Sequence, residues 1–369
     1  MKKMDSRIYG GFDLGGFENE LDDPCLVSIL TCYDFNVEMA KAQGKEISSD
    51  IYFLNGLRHI DGAPPPPPPT ENPGCMKITR IRQNIGNIDA LPVQIGTSEF
   101  NYVQLLAMVL SKLKRAADLQ QNDDVQRCCI AIPSFFTDIQ RRAVYQAAEV
   151  AGLIPLRLLH ECTAVALSYG MDESKNLNTL KDKHLLVLNI DKNTMQACVA
   201  KFIASKIKIF GKRDIEMEIL AHAYSKEIGE KTFEDVISEH CNNNTAYIAK
   251  WKNKFLTDKR TQLEETELIA RLETRSAPLR GLIREVLDEA HLKASEIGSI
   301  VLAGSGTQYP QIPNIIEDVL GRKPERWTYA SAIESVAKGC AMHCLSIIRH
   351  DKITENDTSE RKRRLISSI

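Results

Sequence analysis

Two glycine turns at the ends of apolar runs are the places where this sequence could do chemistry. Gly11-Phe-Asp-Leu-Gly-Gly16 sets an acid, Asp13, beside Gly15 and Gly16, and Val301-Leu-Ala-Gly-Ser-Gly-Thr307 follows a strand with Gly304, Ser305 and Gly306. Glycine lets backbone amides come close to an anion, and an acid beside them can order a hydrated cation. Read alone, each is also no more than the turn that ends a strand. Cys340 and Cys344 flank His343 at helical spacing, a weak metal arrangement. Core packing accounts for them better, because none of the 10 cysteines forms a Cys-x-x-Cys pair.

The elements that must position these residues alternate between strands and helices. Ile8 to Leu14 reads as a short strand, and the acidic stretch Glu18 to Asp23 has poor strand propensity before the next apolar run at Leu26 to Leu30. The first sheet is therefore expected to be short of strands. Residues 31 to 100 are the least organised and hold Pro64 to Pro69, an extended run that fits a surface insertion better than a docking motif. Tyr102, Leu105, Leu106, Val109, Leu110 and Leu113 recur at helical spacing. Cys128 to Ile132 reads as a buried strand, and Thr137-Asp-Ile-Gln140 is a capping box opening a helix that Gly152 closes.

Leu156 to Leu159 is a further strand, and Thr163 to Tyr169 a short helix stopped by Gly170. Leu185 to Ile190, Gln196 to Phe202 and Lys206 to Phe210 then predict a meander of strands. Phe233, Val236 and Ile237, and later Leu279, Leu282, Ile283, Val286 and Leu287, mark helices; Ile300 to Ala303 is a strand, and Val336 to Ile347 a last helix. Strands interleaved with helices over two such halves predict an α/β protein of two lobes, which a length of 369 residues also favours.

Composition narrows the partners. Lys and Arg number 47 against 49 Asp and Glu, a formal charge of -2, so there is no general pull toward nucleic acid or an anionic membrane and neither is expected as a partner. The first residues lack the apolar core of a secretory signal, and no stretch stays apolar for the roughly 18 residues of a membrane span. A soluble, cytoplasmic chain with reduced cysteines is expected. Arg361-Lys-Arg-Arg364 could serve as a nuclear-import patch, though a solvated charged end fits it better.

A longer resemblance runs through several ordered motifs. Ile132-Pro-Ser-Phe-Phe-Thr-Asp-Ile-Gln-Arg-Arg-Ala143, with Leu156-Arg-Leu-Leu-His-Glu-Cys-Thr-Ala164, resembles the first interlobe connection of the ATPase domain of the 70-kDa heat shock protein family. His160-Glu-Cys-Thr-Ala164, where the family usually has a proline before the threonine, and the Gly-Ser-Gly of residues 304 to 306 are more similar to its large, 110-kDa nucleotide-exchange branch. Val301 to Pro310 resembles the family's adenosine motif, and Gly339-Cys-Ala-Met-His-Cys344 its second connection.

The resemblance implies an actin-like fold, two ribonuclease-H-like lobes around a cleft for ATP or ADP with magnesium. Lobe I would span 1 to 175, lobe II 182 to 324, a crossover helix 325 to 348 and a charged tail 349 to 369. It also implies site residues: Asp13, Gly15 and Gly16 in the first phosphate hairpin, Glu161 and Thr163 as catalytic residues, Asp13 and Glu161 on the metal through waters, and Gly304, Ser305 and Gly306 at the nucleoside.

Other parts depart from the pattern. Where the second hairpin should hold an acid and then glycines, the chain reads Asn189, Asp191 and Lys192. A carboxylate there repels phosphate. Losing two or three charge-assisted hydrogen bonds of about 1.5 to 3 kcal/mol each lowers affinity by about three orders of magnitude or more. The family's catalytic lysine should fall near Asn55 or Gly56, and no lysine occurs from Ser48 to Ile60, so Glu161 is expected to lack its lysine partner. The outer subdomain of lobe II is expected to be largely missing near 236 to 262, and the poly-proline insertion to sit in the divergent outer subdomain at 31 to 100.

Three functions follow from these readings. One is an ATP-binding chaperone or co-chaperone domain with a degenerate site; the second is a non-enzymatic interaction module that contacts a cytosolic 70-kDa heat shock chaperone; the third is a decayed paralogue. Client protein binding is not expected, because too few residues follow the second connection for the β-sandwich that holds clients in relatives.

Overall fold

The structure, a computed structural model, describes residues 8–13, 26–31, 37–40, 51–54, 57–58, 75–78, 81–173, 183–209, 212–240, 266–309, 311–324, 334–344 and 346–347. Gly15, Gly16, Asn55, Gly56, the proline run, residues 241–265 and the terminal basic patch lie outside them.

The first sheet has five strands in the order β10-β9-β1-β2-β3. β1 (Ile8–Asp13), β9 (Arg127–Ile132) and β10 (Ile154–His160) run parallel, while β2 (Leu26–Thr31) and β3 (Val37–Ala40) continue antiparallel from β1. The expectation of a sheet short of strands is thus corrected. Val27 and Ile29 bring enough β-branched character to pair along the whole of β1 despite the acidic stretch before them.

The described parts of residues 31 to 100 form regular elements that their composition does not suggest. β4 (Ile51–Leu54) pairs with β5 (Leu57–Arg58) and β6 (Cys75–Ile78), the four-residue helix α1 (Ile81–Asn84) follows, and β7 (Val93–Ile95) and β8 (Ser98–Phe100) form a hairpin. Their buried Ile51, Phe53, Ile78, Ile81, Ile85 and Ile95 join the core that α2 (Tyr102–Gln121) and α3 (Asp138–Val150) build against the first sheet. The Thr137–Gln140 capping box opens α3 as expected, and a second box, Asn101 with Gln104, opens α2.

α4 (Glu161–Glu173) leaves the end of β10 directly and runs past Gly170 rather than stopping there. Gly170 serves packing instead: a Cβ on it would lie 2.6 Å from the Phe202 ring. The second sheet has the order β13-β12-β11-β14. The second and third predicted strands are one long strand, β12 (Met195–Ile209), between β11 (His184–Ile190) and β13 (Lys212–Ser225), a strand the apolar pattern missed because its residues alternate with charges. β14 (Ile297–Ala303) is parallel to β11.

Helices α5 (Glu230–His240), α6 (Thr266–Arg275), α7 (Ala277–Glu289) and α8 (Gln311–Leu320) supply the apolar partners of this sheet. A third cluster joins α4 to both sheets and to α9, residues 334–344. Gly339 lets α9 cross α4 at backbone contact, since a Cβ there would sit 1.8 Å from the Ala164 carbonyl oxygen. The architecture of the described residues is mixed α/β, and no described helix is long and apolar enough to cross a membrane.

Candidate functional site

Parallel strands bring their carboxyl ends to one edge, where open α/β sheets place their ligand sites. β1, β9 and β10 deliver Asp13, Pro133 and Glu161 to such an edge, and β11 and β14, registered Asn189 to Ala303, deliver Asn189 and Gly304. Asp13 is placed only as the last residue of β1, paired with Leu26. Thr163 stands partly exposed on the first turn of α4.

Glu161 is the centre of the described site. Its carboxyl group is buried and accepts from Arg82 Nη2 on Oε1 at 2.5 Å. Oε2 accepts from Asn189 Nδ2 at 3.3 Å and from Gln196 Nε2. Gln196 Oε1 accepts in turn from the backbone amide of Ser134 at 2.7 Å, which fixes the orientation of its amide and ties the end of β9 to β12. Glu161 thus has a basic partner that is not the expected lysine. The partner is an arginine on α1, not a lysine near Asn55 or Gly56.

The second hairpin is closed on itself. The Asp191 amide donates to the Thr194 carbonyl at 2.9 Å, and the Asp191 carboxylate accepts from Asn189 Nδ2 at 3.2 Å. The carbonyls of Asp191 and Lys192 accept from the first amides of α5, Glu230 at 2.9 Å and Lys231 at 2.8 Å, so the hairpin satisfies two donors that a helix start leaves open. Lys192 is buried, with its ammonium 3.5 Å from the Glu234 carboxylate of the same helix.

The turn at Gly304 to Gly306 lies against this hairpin. Gly304 has φ +83°, and a Cβ there would stand 2.3 Å from the Ile190 carbonyl oxygen; one on Gly306 would stand 2.5 Å from Ile190 Cγ2. Ser305 is buried and donates its hydroxyl to Glu230 Oε2 at 2.6 Å. The structure thus joins Glu161 to Asn189, and the 304–306 turn to the hairpin. It offers no group of three or more His, Cys, Asp or Glu that could hold a metal among the described residues; Cys340 and Cys344 are buried in the core.

The family model described as "Hsp70 protein" matches residues 76–264 and 247–355, well over half of the chain. The chain belongs to the heat shock protein 70 family. Relatives of this Hsp70-family chain include Heat shock 70 kDa protein 14 of Arabidopsis thaliana, 27% identical over 95% of the chain and 47% of the relative. Heat shock 70 kDa protein 16 of the same plant is 32% identical over 66% of the chain and 35% of the relative. Heat shock 70 kDa protein 4 of Rattus norvegicus is 28% identical over 92% of the chain and 44% of the relative. The chain spans about half or less of the length of these relatives.

Sequence reading missed Arg82, Gln196 and Glu230 in this Hsp70-family site. The available signal for Arg82 was Ile78, Ile81 and Ile85, apolar positions at helical spacing that mark its segment as core-facing. Gln196 sits beside the Asn189 hairpin position on the paired strand, where alternation sends both side chains to one face.

Among the described residues, the donors around Glu161 do not suit a hydrated magnesium ion. Glu161, expected with Asp13 to hold the ion through waters, already accepts from the chain's own donors on both oxygens, and a guanidinium stands where a second cation would meet like charge.

Proposed function

We propose that this chain is a chaperone-type ATPase domain of the Hsp70 family whose nucleotide site is degenerate, and that it works as a co-chaperone module on a 70-kDa heat shock chaperone rather than by hydrolysing ATP. This reading takes over the family's actin-like fold, with residues 1–175 and 182–324 as its two lobes and 325–348 as the crossover. One observation carries it: the Glu161 carboxyl group accepts on both oxygens from the chain's own donors, Arg82, Asn189 and Gln196. Three donors take up most of the roughly four acceptor sites of a carboxylate, which leaves little capacity to order a metal's water shell or an attacking water.

The hairpin supports the same reading. Phosphate binding in such turns needs open amides and close approach, and here Asp191 brings a negative charge and commits its amide to Thr194. Nucleotide binding in this domain is accordingly weak or lost. Phosphate release from magnesium ATP, with calorimetric titration, tests the proposal. Turnover at the background rate is expected for the wild-type chain and for Glu161→Ala alike. Turnover that vanishes in Glu161→Ala overturns it. Retention of a 70-kDa chaperone on the immobilised chain is the expected sign of the partner role.

A further inference from the structure

We infer that Arg82 is a built-in counter-ion that replaces a bound divalent cation at Glu161, holding the two sheets together at this point without metal. The inference rests on the reading of this cleft as the family's nucleotide site, and it adds what now occupies the cation's place.

The argument is one of charge and connection. Arg82 and Glu161 are both buried, at 4% and 3% exposure, with 2.5 Å between Nη2 and Oε1. A buried carboxylate needs a positive partner, and guanidinium suits burial because it is weakly hydrated and offers several donors in a plane. The other groups on the carboxylate, Asn189 and Gln196, are neutral amides. Acids at those two positions would add negative charge that only a further cation could balance. With amides there, the positive charge against Glu161 is the Arg82 guanidinium, while the Asp191 carboxylate shares the Asn189 amide from the hairpin side at 3.2 Å.

The connection is equally specific. Arg82 comes from α1, Glu161 from the start of α4, Asn189 from β11, Gln196 from β12 and the Ser134 amide from the end of β9. Both sheets therefore meet on a single carboxyl group. Arg82 is a positioning residue: it acts by holding Glu161, and through it the seam.

Chemical rescue distinguishes a counter-ion from an ordinary packing residue. Thermal melting is followed without nucleotide, with magnesium or manganese at millimolar concentration or with chelator. Wild type is expected to melt at the same temperature in all three. Arg82→Ala is expected to melt roughly 5 °C or more lower and to recover a good part of the loss when either metal is added, because the exposed charge of Glu161 then has a cation to bind. Arg82→Lys keeps the charge and is expected to lose less and to ignore metal.

Should Arg82→Ala fail to fold, the double variant Arg82→Ala with Glu161→Gln decides, since it has no charge to neutralise; it is expected to fold and to be indifferent to metal. A wild-type chain stabilised by magnesium alone, an Arg82→Ala chain without metal response, or a double variant that also fails to fold each overturns the inference. None of these readouts involves ATP, so turnover could sink the functional reading while leaving this one to the melting curves.

Discussion

Ser305 donates its hydroxyl to the carboxylate of Glu230 at 2.6 Å, while the amide of Glu230 donates to the Asp191 carbonyl at 2.9 Å. One residue at the start of α5 therefore ties the 304–306 turn to the 191–194 hairpin. Ser305→Ala leaves the carboxylate without that donor and is expected to cost about 1 to 3 kcal/mol of stability. Glu230→Gln keeps an acceptor and should cost less. Urea unfolding of the two variants checks the order, and a Ser305→Ala chain as stable as wild type would show that the tie carries no energy.

Two glycines with similar positive φ should respond very differently to alanine. Gly304 has φ +83° and a Cβ there would meet the Ile190 carbonyl oxygen at 2.3 Å; Gly152 has φ +79° with nothing within 4 Å. Gly152→Ala is expected to lose only the left-handed backbone cost, about 1 to 2 kcal/mol. Gly304→Ala must also push two backbones apart, and it is expected to be poorly soluble or to melt well below Gly152→Ala. Parallel melting curves decide.

How far the sequence could be read follows from where its information lies. The helices at 102–121 and 138–150 carry capping boxes as well as apolar positions at helical spacing, and the helix at 277–289 shows the spacing without a capping box; these are local signals. β13 does not, because a strand whose sequence mixes Lys212, Arg213, Asp214, Glu216 and Glu218 with apolar residues owes its place to pairing with β12, a long-range fact. The site divides the same way. Glu161, Asn189 and the 304–306 turn are found from motif and register, and the structure does bring them together or against common neighbours. Arg82 is 79 positions from Glu161. A search confined to lysines could not find it, because what matters at that place is a buried positive charge rather than one residue type.

The cysteines offer a simpler test. Burial pushes the thiols of Cys128 and Cys162 up, in Cys162 together with Cys198 as hydrogen-bonding neighbour, and the thiolate is the reactive form. Alkylation of the native chain at mildly alkaline pH is expected to spare both, with rates at least ~100-fold below those in denaturant. Rapid modification of Cys162 in the native state would mean that the junction of β10 and α4 opens.

The last prediction concerns pH. Arg141 Nη2 lies 2.9 Å from His160 Nε2, and His160 Nδ1 lies 3.3 Å from His222 Nε2. Arginine has only donors, so His160 Nε2 must accept. The His160 proton is then on Nδ1 and is donated to His222 Nε2, which leaves the His222 proton on its buried Nδ1. A proton added to either ring would set donor against donor.

Both histidines are accordingly held down to about 4 from 6.5, by burial first and then by the Arg141 charge for His160 and the His160 ring for His222. The unfolded chain takes up these protons more readily, so the pair's contribution to stability is complete above pH 6.5 and is lost as pH falls from there toward 4. Stability measured by urea should therefore drop between pH 7.5 and 5, roughly the window of histidine titration. His222→Asn should drop less over the same interval, since it titrates one group fewer and carboxylates affect both chains equally. Arg141→Ala should also drop less, because removing that charge lets His160 titrate closer to its unfolded value. Equal slopes in all three chains would mean that the two rings do not meet in solution as they do here.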